Sequence, residues 1–492
     1  IITKSPDESR GGLVSGTGGW FNGSGQINHY VGSLIYGGKV KDFGYRISGG
    51  WENASRLEEH GEDAEKIGRF LGLFNYKINE SSEASIEGGI SDGEGEIFII
   101  FPGELSNFQM NHVEANYSYS DFKAQAFWRG GKIDVPVSAF FRSTDPRINA
   151  LLSNLPRKVN GKYNTYDIEL QHSINLAEIH TILGGLNYRL FTMKSNITEE
   201  KELNTYAGFL QYEGRPISGL IFNLGIRVDY QDYIGTNVSP RGSLIFTPLK
   251  GHTIFLSYGR AFRNPTYIDL FADVSINDFQ LVDGREDLET DKMESYELGY
   301  RVALFEKLRA DLEIFYNRLH DLIHTFGDFD KFPEEPIRAK NYLGLTEAIG
   351  GEAGVEYQIT SWLTGFINYS YEEVYEDLKN KLRSRILSNP KNRVNIGLRA
   401  DLKTGLSGNI LFHYVDPSNK EHPTPEIPME YPLDRMGNYF LLNARVSYEF
   451  LDHFEVAVAG QNLLNDEHKE VSGAPEAEEI PLMMYGSLSA RF

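Results

Sequence analysis

The side chains that could do chemistry in this chain are carboxylates, imidazoles and hydroxyls, because 69 Asp and Glu and 12 His are present and Cys is absent. Thiolate nucleophiles, disulfide frameworks and Cys-rich zinc sites are therefore excluded. His320 and His324 stand four apart, a spacing that on a helix would put two metal ligands on one face. The residues around them alternate as in a strand, which would separate them by roughly 13 Å at ~3.3 Å per residue, so no shared metal is assigned. Two acidic clusters offer oxygen ligands of the kind Ca²⁺ takes: Asp283, Glu286, Asp287, Glu289 and Asp291, and Glu58, Glu59, Glu62 and Asp63. Neither has the spacing of a helix-loop-helix calcium loop. They read as solvated loops, with a weak divalent site as the alternative. The glycine-rich GTGGWFNGSG at residues 16 to 25 lacks the following helix that a phosphate-cradling loop needs, and reads as a curved strand and its hairpin. With no P-loop, HExxH or GxSxG motif, no enzymatic activity, cofactor or metal is assigned.

Lys and Arg total 48 against those 69 acids, a net charge of −21 spread along the chain. No basic stripe is present, which argues against nucleic-acid binding. No apolar run is long enough for a membrane-spanning helix. The 28 Tyr and 30 Phe within a hydrophobic content of only 40% suggest broad, thin apolar surfaces more than a thick core.

The element that must position these residues is a strand, because period-two alternation runs from end to end. Phe222, Leu224, Ile226, Val228 and Tyr230 share one face against Asn223, Gly225, Arg227 and Asp229. Residues 294 to 302 and 442 to 450 repeat the pattern. Segments of roughly ten residues span a hydrocarbon layer when tilted, and an apolar face capped by aromatics is what lipid requires. Tyr230, Tyr258, Tyr300 and Tyr448 read as interface residues at strand ends. Tight turns (176 to 178, 216 to 218, 249 to 251, 403 to 405, 451 to 453) alternate with long segments, including 132 to 160, 263 to 292 and 320 to 345. The fold class is all-β: a transmembrane antiparallel up-and-down β-barrel of about 22 strands. A soluble β-propeller is the rival, and it would need polar outer faces. A closed sheet leaves no backbone edge in lipid, so the last strand must pair with the first. Leu488, Ala490 and Phe492, alternating with Ser487, Ser489 and Arg491, are the closure residues.

Several segments resemble one family. SPRGSLIFTPLKGHTIFLSYGRAFRNPTYIDLF (239 to 271), REDLETDKMESYELGYR (285 to 301), AIGGEAGVEY (348 to 357) and GQNLLNDEH (460 to 468) are similar to barrel signatures of TonB-dependent outer-membrane receptors, with His468 where an aromatic is more usual. IITK at residues 1 to 4 resembles the last strand of that family's plug. The resemblance implies residues 1 to 10 as a remnant of the plug and linker, and 11 to 492 as the barrel with its extracellular loops.

It further implies a bacterial outer-membrane importer of a scarce large solute, most often a ferric siderophore or related metal chelate. Its partners would be outer-membrane lipid and lipopolysaccharide and, through the plug, the TonB complex. A cobalamin importer of the same family, or a plugless passive diffusion pore, are the alternatives. Candidate substrate contacts are Phe140, Phe141 and Arg142, in the loop KIDVPVSAFFRSTDPRINALLSNLPRK, and Arg263 and Tyr267 beside Asn264, where a strand leaves the membrane.

Overall fold

The computed structural model describes residues 6–21, 29–55, 64–96, 105–136, 158–177, 179–276, 279–326, 335–342, 344–377, 384–386, 388–419, 435–470 and 479–492. Twenty-two long strands, from Gly11–Phe21 to Met483–Arg491, form one closed antiparallel sheet. Each strand pairs with its sequence neighbours, so the barrel is up-and-down throughout. The seam runs from Leu13 opposite Arg491 to Phe21 opposite Met483, which places Leu488 opposite Gly16 and Ala490 opposite Val14. Phe492 extends the ladder by one residue: its N–H donates to the Gly12 carbonyl at 3.0 Å, and the Gly12 N–H donates to its carbonyl at 2.6 Å.

Two local devices shape the wall. On one rim, Gly219, Gly251 and Gly405 take positive φ (80°, 82° and 84°), which glycine alone adopts without strain. Each turn carbonyl then accepts an N–H from the strand beyond, Thr247, Ala303 and Glu449 respectively, at 2.7 to 2.9 Å. On the inner face, aromatic rings lie over glycines directly opposite them. Phe209 covers Gly185, Phe255 covers Gly299 and Phe366 covers Gly397, each ring within 2.1 to 2.3 Å of where a Cβ would stand. The glycines make room for the rings and let the sheet curve inward.

The outer face is apolar over its middle. Ile168, Leu186, Leu210, Leu224, Leu256, Leu298, Leu312 and Ile314 point away from the lumen and are exposed. Along one strand, Leu220 to Tyr230 rises about 33 Å, or roughly 23 Å at a tilt near 45°, which matches a hydrocarbon layer. Tyrosines ring the band on one side: Tyr188 with Tyr206 at 5.2 Å, and Tyr258 with Tyr296 at 5.1 Å. His180 with Tyr212, and His252 with Tyr300, hydrogen-bond on the other side. Tyr258, read from the sequence as a strand end, is seventh of the twelve residues His252–Arg263. Its strand continues past the girdle through Gly259, Arg260, Ala261, Phe262 and Arg263, where the apolar face is no longer continuous and alternation stops marking the strand.

The buried apolar cluster lies beneath the loops instead of inside the wall. Leu203, Tyr267, Leu270, Phe271, Leu288 and Ala339 form it, with Phe191 and Met193 packed alongside. It is built on the helix Tyr267–Phe271, which starts at a capping box: the Thr266 hydroxyl accepts the Asp269 N–H, and the Asp269 carboxylate accepts the Thr266 N–H. The hairpins Asp273–Ile276 with Phe279–Asp283, and Ile323–Phe326 with Arg338–Asn341, complete it. Val282 bridges the two hairpins by pairing with Ile337.

Candidate functional site

Two regions gather polar side chains where a solute would meet them: the mouth around residue 263, and the lumen wall. At the mouth, Arg263 ends its strand opposite Asp291, and the two are ion-paired. The Arg263 side chain stays two-thirds exposed (66%), whereas Asp291 is buried and also accepts the Ile323 N–H at 2.7 Å. Arg263 therefore presents N–H donors to the opening from a fixed base.

Tyr267 is buried, with 7% of its surface exposed. Its hydroxyl accepts the Lys201 N–H at 2.7 Å and lies 2.8 Å from the Glu199 carbonyl. Its ring packs on Phe191 and Phe271, at 5.5 and 4.8 Å. Burial pushes the phenol above its ordinary value. In this arrangement Tyr267 clamps the loop after Arg263 to the turn after Ser195, and its substrate-contacting surface is gone. Phe140, Phe141 and Arg142 fall outside the described residues, as do Glu58, Glu59, Glu62 and Asp63.

The other acidic cluster is dispersed, since each member has its own cation. Asp283 holds Arg338 at 2.8 Å, Glu286 faces Lys201 at 3.6 Å, Asp287 takes Arg285 at 2.8 Å, Glu289 takes Lys292 at 3.0 Å, and Asp291 takes Arg263. These pairs knit loops together, while Glu286, Asp287 and Glu289 stay more than half exposed to solvent. His320 and His324 do not share a strand: Leu308–His320 ends, Asp321 turns at a positive φ of 58°, and His324 belongs to the separate hairpin, its ring tilted against Tyr342 at 5.4 Å.

The lumen wall divides by charge. On the strands Asp291–Leu304, Leu308–His320 and Leu345–Gln358, the residues alternating with outward Tyr296, Leu298 and Tyr300 are Glu297, Glu313 and Glu352, with Asp311 and Arg301 alongside. Glu313 and Glu352 are direct cross-strand partners. About a quarter-turn away around the barrel, the inward residues are Arg129, Asp167, Arg189, Arg227, Asp229 and Arg241. The sequence reading marked Arg227 and Asp229 only as a polar face. The available signal was an Arg two residues from an aromatic or acid, as in Phe127–Arg129 and Arg227–Asp229.

With this geometry in view, the comparisons with known proteins agree on one kind of molecule. A family model described as TonB dependent receptor-like, beta-barrel, matches residues 42–463. The chain belongs to that family. Among solved structures, it is similar to the siderophore receptor PirA from Acinetobacter baumannii, at 14% identity and a TM-score of 0.83, over 100% of this chain and 82% of that one. The ferric enterobactin receptor of Pseudomonas aeruginosa is similar at 13% identity and a TM-score of 0.80, with the same coverage. So is the FrpB iron transporter from Neisseria meningitidis, at 13% and 0.76, over 98% of this chain and 82% of that one. Identities this low show a shared fold. No curated protein matches the chain.

Proposed function

We propose that this chain is the barrel of an outer-membrane importer that takes up a ferric siderophore or related metal chelate, driven by the TonB complex through a plug. The observation that carries the reading is the family match over a closed 22-strand barrel with an apolar, aromatic-edged outer face. The names of the similar structures, all receptors or transporters for siderophores or iron, support the cargo class.

Two features support a plug. The 3-10 turn Pro6–Ser9 lies on the inner wall, where Pro6 approaches Gly44 and Ser9 approaches Gly37, so residues 6–10 lead into the first strand from inside the barrel. The acidic wall around Glu313 and Glu352 is the second. Like charges directly opposite each other destabilise a sheet, and cations on a seated plug would relieve them. Residues 1–10 are accordingly assigned to the plug connection and 11–492 to the barrel. Lipopolysaccharide and phospholipid are the partners of the outer face.

Growth of a strain lacking other iron receptors tests this reading. With ferric chelates as sole iron source, growth should require both this protein and TonB. Growth that needs the protein but not TonB would point to the passive pore, and growth rescued by cobalamin alone to the other importer.

A further inference from the structure

The strands Phe454–Gln461 and Met483–Arg491 are tied together at the mouth by a clasp whose central side chain is His468, at the position where an aromatic is more usual. The imidazole keeps the packing of an aromatic: it is 9% exposed and stacks on Tyr439 at 4.0 Å, with the planes 16° apart. Its backbone pairs with Ile480, whose N–H donates to the His468 carbonyl at 2.8 Å. Asn462, 1% exposed, closes the clasp by donating from Nδ2 to the carbonyls of Asp466 and Ile480, at 3.2 and 2.9 Å. A phenylalanine or tyrosine at 468 would serve all of these contacts.

The ring nitrogens are what such a residue lacks. Nδ1 lies 2.5 Å from the Asp466 carbonyl, and Nε2 lies 3.2 Å from Glu470 Oε1. A carbonyl only accepts, and so does an ionised carboxylate, which Glu470 presents with 45% of its side chain open to water. A neutral imidazole has a single N–H, so in that form one nitrogen would turn a lone pair toward an acceptor. The imidazolium donates to both and lays its charge on the face of Tyr439. The arrangement is therefore that of the protonated ring.

The other charged groups around the clasp do not supply these two contacts. The Asp466 carboxylate is engaged by the Phe440 N–H at 2.9 Å. His413, on the strand Leu406–Val415, sits 6.4 Å from the Tyr439 ring and is held by Asn395 Oδ1 at 2.5 Å. Arg393, on Asn392–Asp401, acts on His413 and Tyr439.

We propose that His468 is a protonation-dependent clasp: as imidazolium it fastens residues 462–470 and Ile480 to Tyr439, and on losing its proton it gives up Glu470 and loosens them. The shorter Nδ1 contact keeps the one remaining proton, so the Glu470 contact is the one lost. The fastening is present at the acid end of the range in which imidazoles change charge, about pH 5 to 8, and is lost as pH rises through it. Order on this side of the mouth then follows the external pH, whatever solute the barrel takes up.

Hydrogen exchange of the whole protein in detergent tests this, corrected for intrinsic rates and read on peptides covering 462–470 and 479–483 between pH 5 and 8. Protection should fall by about tenfold as pH rises. His468→Phe keeps the stack and should remove the pH dependence. Glu470→Gln should remove it too, because a side-chain amide can donate to the neutral ring and replace the lost bond. His413→Gln should leave it in place. Peptides over 285–292, whose ion pairs include no imidazole, give the baseline. Protection in the wild type that does not change with pH overturns the clasp, as does an unchanged response in His468→Phe or a lost one in His413→Gln. Should the Phe variant fail to assemble, Glu470→Gln decides alone, and an unchanged response there overturns the proposal.

Discussion

Glu313 and Glu352 occupy directly opposed positions on neighbouring strands, both on the lumen face, with Glu297 one strand further round. Opposed carboxylates cost about 0.2–1 kcal/mol in a sheet unless a cation lies between them. In the barrel alone, Glu352→Gln should raise the thermal midpoint. In a form carrying the plug proposed above, the same change should give no gain, because plug cations would already lie between the two carboxylates. Melting curves of both forms decide it, and equal stabilisation in both would remove the plug from this account of the acidic wall.

The lipid-facing surface makes a sharper demand. Leu298 lies between Leu256 and Ile314 in register, and is 45% exposed at mid-strand. Leu298→Arg should cost about 2–4 kcal/mol if that surface meets the bilayer midplane. Folding titrations into lipid vesicles measure it, and a near-neutral result would contradict contact between this face and the bilayer midplane.

Tyr267 provides a prediction for the loops. Removing its hydroxyl in Tyr267→Phe leaves the Lys201 N–H without its acceptor, at about 1–3 kcal/mol. The cost should fall on the loops, since the strands pair independently of it. Limited proteolysis should cut between residues 264 and 290 sooner in the variant, while barrel secondary structure by circular dichroism stays unchanged. Slower or equal cleavage would show that the clamp does not hold the loop.

The ion pairs of the loops set a pH window. Hydrogen bonding from Arg285 lowers the carboxyl of Asp287 below its ordinary 3.8, so its contribution is present above that value and lost as pH falls through the lowered one. Asp321 and Glu289 raise the ammonium of Lys292 above its ordinary 10.5, so its contribution is present below 10.5 and lost as pH rises through the raised value. Loop protection from hydrogen exchange, corrected for intrinsic rates, should therefore be flat between about 4 and 10 and fall outside those limits. Arg285→Gln should remove the contribution of the Arg285–Asp287 pair at neutral pH and with it that pair's share of the acid-side loss.

The barrel was legible in the sequence because lipid imposes a strict rule: one face of every strand must be apolar. Strand number, turn positions and the closing strand all follow from that rule. The loop helix was missed although Thr266 and Asp269 have capping-box spacing, because five residues are too few to establish a helical period. Arg285 with Asp287 and Glu289 with Lys292 are near in sequence, but the long-range pairs were hidden for a different reason. Arg338 is 55 residues from Asp283, and Arg227 is 40 from Asn187, so only the register of intervening strands brings them together. Lumen polarity is visible as alternation, whereas which lumen residues meet is a property of the closed sheet.

The most direct test of the importer reading is uptake of radiolabelled iron, presented as a panel of anionic ferric chelates to cells in which this protein is the only receptor of its family. Accumulation that stops when the proton-motive force is collapsed is the predicted result. Accumulation that continues at the same rate without that force, or none for any chelate, would contradict it.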